Sequence, residues 1–201
     1  MKIRLRATNV RPDKATLVHS ISLFKNRRAF WALNGGSIIL LIIFGWFFSW
    51  YVSQIHPDLP FELVITSANA IYVCLSLLGI IVGQMVLHEL VHGAFFWLFT
   101  RSRPTFGFRV WYAYAAAPGW FFPRGQYLVV TLAPFVLLSV LSLILLTIVP
   151  QEAALLIILL AVVINAASAV GDMWVAFLII RERRPIVIED LGDGMNFYSL
   201  A

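Results

Sequence analysis

The sequence predicts an all-α membrane protein of about four transmembrane helices, with both termini cytoplasmic and an irregular or β-hairpin-like loop between helices two and three. Three observations carry this reading. Of the 201 residues, 61% are hydrophobic and only 12% charged, far from the balance of a soluble domain. All fifteen Lys and Arg residues fall in three clusters: eight in residues 2–28, four in 101–124 and three in 181–184. Between the clusters lie two spans free of positive charge, residues 29–100 and 125–180, of 72 and 56 residues. A helical crossing takes about 20 residues, so each span holds two.

Residues 1–28 are basic and read as cytoplasmic, either as a short helix on the inner leaflet through "LVHSISLFKNRRAFW" or as a tail that only sets orientation. The first apolar run begins near Ala29, too late and too long for a cleaved signal peptide, and predicts a helix near 35–54. "SQIHPDLPFE" ends it, because Pro57, Asp58, Pro60 and Glu62 are poor occupants of hydrocarbon. A second helix follows near 67–100. "VPQEA" then separates a third at about 127–149 from a fourth at about 153–180. By the positive-inside rule the basic clusters are cytoplasmic, so helices two and four run in the same direction. Residues 29–184 are thus one transmembrane domain, and 185–201 a short cytoplasmic tail.

The loop "RSRPTFGFRVWYAYAAAPGWFFPRGQ" has its own pattern. Phe106, Phe108, Val110, Tyr112 and Tyr114 recur at period two, which predicts a β-hairpin turning near Pro118 and Gly119. Elsewhere the composition mainly excludes. A lone Cys74 rules out a disulfide framework or a cysteine metal cluster within one chain. Nucleic acid is not an expected partner, since the basic residues are interrupted by long apolar runs. The lipid bilayer and its anionic headgroups are.

Chemistry concentrates in "QMVLHELVHG", where His88, Glu89 and His92 form HExxH. Four residues apart on a helix, the imidazoles are about 40° apart around the axis and can grip one metal ion, while Glu89 is offset toward a metal-bound water. Zinc suits this donor set and leaves a position for water, with Glu89 as general base. Asp172 is the expected third ligand, being the only carboxylate besides Glu89 inside a predicted helix. Arg101 and Arg181 mark the cytoplasmic ends of helices two and four, which puts His92 and Asp172 each nine residues from their ends, about 13 Å. On that spacing they lie level in the membrane.

Other polar and small residues cluster around these. Ala161, Asn165, Ser168, Asp172 and Ala176 share one helix face, so Asn165 and Ser168 are either second-shell or substrate-binding groups or ordinary interhelical contacts. Gln84, one turn before His88, either orients a ligand or meets another polar side chain. Gly79 and Gly83 make a GxxxG pair on the back of helix two, suited to another helix or a second subunit. The soluble-protease pattern HExxHxxGxxH fails at Phe95 and Leu98.

HELVHG, the later Asn165 and Asp172, and the irregular loop between them together resemble intramembrane site-2-type metalloproteases. More closely, residues 84–181 resemble the small bacterial and archaeal membrane family of putative zincin peptidases. The resemblance implies that His88 and His92 bind zinc, that Glu89 is the catalytic base and that Asp172 completes the site. It also implies a zinc-dependent intramembrane metallopeptidase in a bacterial or archaeal cell membrane, cutting a membrane-protein or peptide substrate at the cytoplasmic side. "FGFRVWYAY" would offer that substrate an edge strand, and "TLAPF" resembles the Gly-Pro start of the next helix. Two departures from the site-2 pattern are plain: no proline follows Asn165, and Gly171 precedes Asp172 rather than following it. Two other readings use the same residues, a non-proteolytic metal-binding transporter or sensor and a non-catalytic membrane adaptor.

Overall fold

The structure, a computed structural model, describes residues 6–13, 15–21, 27–58, 66, 68–109, 112–192 and 194–200. Its elements in chain order are β1 (Ala15–Ile21), α1 (Arg27–Ile55), α2 (Ala70–Thr100), β2 (Thr105–Arg109), β3 (Tyr112–Ala116), β4 (Phe121–Pro123), α3 (Arg124–Ile148), α4 (Glu152–Ser168), α5 (Val170–Arg181), β5 (Ile186–Asp190) and β6 (Met195–Leu200). Helices α1, α2 and α3 are each long and apolar enough to cross a membrane; α4 and α5 pass that test together, bent by 41° at the break between them. Apolar side chains point outward along these helices: Ile42 is 63% exposed and Trp46 71%. In water such a surface would be a large apolar patch; hydrocarbon covers it at no cost.

The expected all-α class needs correction. The chain is mostly helical but also carries a four-stranded antiparallel sheet in the order β1-β6-β5-β4 and a separate two-stranded sheet, β2-β3. Leu17–Ile21 of the anticipated N-terminal helix are strand, since Ala15–Ile21 pairs with Met195–Leu200; Ser22–Asn26 lie outside the described residues. The tail 185–201 is no loose extension: β5 and β6 pair with each other, and β5 also pairs with β4. "IVIED" and "MNFYSL" are β-branched and aromatic runs around a turn, where Gly192 adopts φ 86° and its N–H donates to Asp190 Oδ1 at 2.8 Å.

The loop hairpin exists, but Arg109 already pairs with Tyr112, so Pro118 and Gly119 are not its turn; Val110 of the expected alternation lies outside the described residues. Phe106 faces Ala115 and Gly107 faces Tyr114. Gly119, at φ 76°, instead makes the corner that leads into β4, a left-handed conformation glycine adopts without Cβ strain.

Two compact units result. One comprises Met1–Asn34, Glu89–Pro134 and Gly171–Ala201, the other Gly35–His88 and Phe135–Val170. The first holds both sheets and a core of Phe96, Phe122, Tyr127, Val130, Ile179, Ile188 and Phe197. The second is helical, built on Phe48, Val52, Leu146, Leu155 and Val162. Along the chain the boundary falls inside α1, α2 and α3 and after Val170, the first residue of α5.

Candidate metal centre

Helical spacing alone puts His88 and His92 on one face of α2, and both are buried. A buried imidazole needs a partner for each ring nitrogen, and the structure supplies one for each Nδ1. His92 Nδ1 bonds the Val130 carbonyl at 2.9 Å; a carbonyl only accepts, so this nitrogen carries the proton. Val130 is free to accept because the residue four positions on is Pro134, inside α3, and proline has no N–H to return to the turn before it. That carbonyl would otherwise be spent within the helix.

With Nδ1 committed, His92 presents Nε2, which lies 3.4 Å from Asp172 Oδ2. Asp172 stands in the first turn of α5, just past the break where the Ala169 N–H closes α4 on the Asn165 carbonyl. A carboxylate there also meets the positive end of a helix. Its side chain is 23% exposed, so the site is reachable.

His88 is oriented in the same manner. Its Nδ1 lies 3.1 Å from Asn165 Oδ1, and the same oxygen accepts from Gln84 Nε2 at 3.0 Å. Asn165 is fully buried. Because the Gln84 amide donates, the shared atom is the carbonyl oxygen, and His88 Nδ1 is a second donor to it, so in the neutral ring Nε2 is the basic nitrogen.

Ligand atoms of His88, His92 and Asp172 all lie within 4.8 Å of one another. Zinc holds nitrogen and oxygen at about 2.0–2.1 Å in a tetrahedron, whose edges are then about 3.3 Å. The His92–Asp172 separation matches such an edge, and two Nε2 lone pairs with one carboxylate are a zinc donor set. The residues therefore fit the ion. Glu89, next to His88 and half-buried, points off the ligand face.

The remaining expected residues fall in distinct places. Gln84 and Asn165 come to His88 as described. Ser168 does not: it is exposed and its hydroxyl donates to the Asn165 carbonyl at 2.9 Å, helping to end α4. Among the described residues, and apart from the backbone of α2 itself, no atom lies within 4 Å of where a Cβ on Gly79 or Gly83 would stand. Gly93, the glycine of HELVHG, has a clear role instead, since a Cβ there would run into the Phe106 ring of β2. What sequence reasoning missed is the Val130 carbonyl, although a proline inside an apolar helix was its visible signal.

A family model described as "Putative zincin peptidase" matches residues 81–187, more than half of the chain and every residue of this centre. The chain belongs to the putative zincin peptidase family. No curated protein and no solved structure matches it. In this zincin family member the Asn165 oxygen holds His88 in one tautomer; for a histidine that binds metal, loss of such a partner typically costs 10–100-fold in affinity. Asn165→Ala is therefore expected to weaken zinc binding by roughly that factor, read by competition with a chromophoric chelator, while Asn165→Asp, which keeps an acceptor, retains most of it.

Proposed function

We propose that the chain is a zinc-dependent intramembrane metallopeptidase that hydrolyses a peptide bond of a membrane-protein or peptide substrate at the cytoplasmic side of the bilayer. The observation that carries this is the convergence of His88, His92 and Asp172 beside Glu89, in a chain of a peptidase family. His88 and His92 bind through Nε2, each ring held by its Nδ1 partner, and Asp172 supplies the third, anionic ligand. Bound there, zinc supplies Lewis acidity that activates water at neutral pH. Glu89 takes the proton from the attacking water and hands it to the leaving amine, the work of a general base turned general acid.

Sheet pairing supports the topology. β1 near the N-terminus, β4 between α2 and α3, and β6 at the C-terminus belong to one sheet, so these segments share one side of any membrane. That requires an even number of crossings, met by α1, α2, α3 and the bent pair α4–α5 as a single span. Two of the basic clusters, residues 2–28 and 101–124, contain β1 and β4, and the third, 181–184, directly precedes β5 of the same sheet, which favours the cytoplasmic side. The open backbone face at Gly79 and Gly83 suits close helix approach, and a homo-oligomer through it is part of this reading.

The test is metal content and metal dependence. Chain purified in detergent without chelator is expected to carry about one zinc, to cleave fluorescein-labelled casein, and to lose then regain that cleavage on chelation and zinc addition. A zinc-free chain, or cleavage indifferent to chelation, would overturn the proposal.

A further inference from the structure

The C-terminal hairpin reaches the metal centre through one buried pair. Asp190, the last residue of β5, accepts the Tyr127 hydroxyl on Oδ2 at 2.6 Å and the Gly192 N–H on Oδ1 at 2.8 Å. Burial pushes its carboxyl above the usual range, an effect that those two donors partly offset, and it lies within electrostatic reach of His92 and Asp172. A buried carboxylate is costly unless well partnered, and an apolar pair would fill the same space at lower cost. HExxH makes no use of either residue.

Tyr127 is 3% exposed and touches both helices that fix His92. It lies one turn before Val130 on α3, whose carbonyl holds His92 Nδ1. Its ring packs against Phe96, one turn beyond His92 on α2, with centroids 6.5 Å apart, and against Phe122 at 5.9 Å. Anchoring the hydroxyl therefore fixes the α3 turn against the α2 turn at the point where the imidazole is oriented.

We propose that Tyr127 and Asp190 are positioning residues for the metal centre, a latch supplied by the C-terminal hairpin that sets the orientation of His92 through the Val130 carbonyl. This rests on the metallopeptidase reading. Neither residue touches metal or substrate; both act through His92.

Two variants test it in the full chain in detergent. Tyr127→Phe keeps the ring packing and deletes the hydrogen bond. Asp190→Asn deletes the charge and one of the two acceptor oxygens, and its remaining oxygen still takes the Tyr127 hydroxyl when the amide turns its NH2 toward Gly192. Zinc affinity is measured by chelator competition, and site geometry by the visible d–d bands of the cobalt-loaded chain. Tyr127→Phe is expected to weaken zinc binding about 10–100-fold and to shift the cobalt bands, as loss of an outer-shell partner does. Asp190→Asn is expected to stay within about threefold of the unsubstituted chain, a small fraction of that loss. Unchanged affinity and unchanged bands in Tyr127→Phe would overturn the latch. So would a loss confined to Asp190→Asn, which would assign the effect to charge alone. If the unsubstituted chain binds no zinc, it is the metallopeptidase reading that falls, and the two failures are told apart by that control.

Discussion

Glu89→Gln is expected to lower peptide hydrolysis by roughly 10²–10⁴-fold while the chain keeps its zinc. The substitution preserves shape and removes only the capacity to take a proton. Glu89 sits one residue after His88, about 100° around α2, so it does not share the ligand face that His88 and His92 occupy. A loss in turnover of this size corresponds to about 3–5 kcal/mol of transition-state stabilisation. Casein cleavage and zinc content measured on one preparation check both halves. A transporter or sensor built on the same ligands would be indifferent to this change, so full activity in Glu89→Gln with zinc retained would exclude the peptidase.

Asp172→Ala is expected to weaken zinc binding by more than the roughly 100-fold that outer-shell changes reach. It deletes the proposed third ligand, a carboxylate placed 3.4 Å from His92 Nε2. Glu152→Ala is the matched control. Glu152 is also an acid in the first turn of a helix, α4, but it is exposed and outside the cluster of His88, His92 and Asp172. Chelator competition on both variants separates the cases, and equal retention would mean that the third ligand is another group.

Much of the membrane part was legible because it is written in composition. Four apolar runs between basic clusters need no tertiary knowledge to be read, and α1, α2 and α3 fall within a few residues of where the runs place them, apart from the earlier start of α1 at Arg27. The shared face of His88 and His92 was legible too, since i, i+4 spacing is a property of any helix. The break before Asp172 was not. "NAASAVGDMW" holds no proline, and its small residues are compatible with an unbroken helix; the 41° bend comes where the Ser168 hydroxyl shares the Asn165 carbonyl with the last helical N–H, that of Ala169.

The sheet shows the other limit. β1 and β6 are each ordinary six- or seven-residue segments, and Ala15 meets Leu200 across nearly the whole chain. Strand pairs of such separation leave no local periodicity that names the partner, and isolated strands bury too little to form alone. "LVHSI" therefore looked like the start of an amphipathic helix until its partner was known.

By itself, then, the sequence determined the apolar spans, the basic clusters and the spacing of His88, Glu89 and His92, because each is a local regularity of charge or helical period. Only the tertiary structure decided what holds Nδ1 of each histidine, since that depends on Val130 and Asn165 arriving from other helices. It alone also decided that the C-terminal hairpin brings Asp190 to Tyr127. Hydrogen-bond geometry between distant segments is set by packing, and packing is a property of the folded chain.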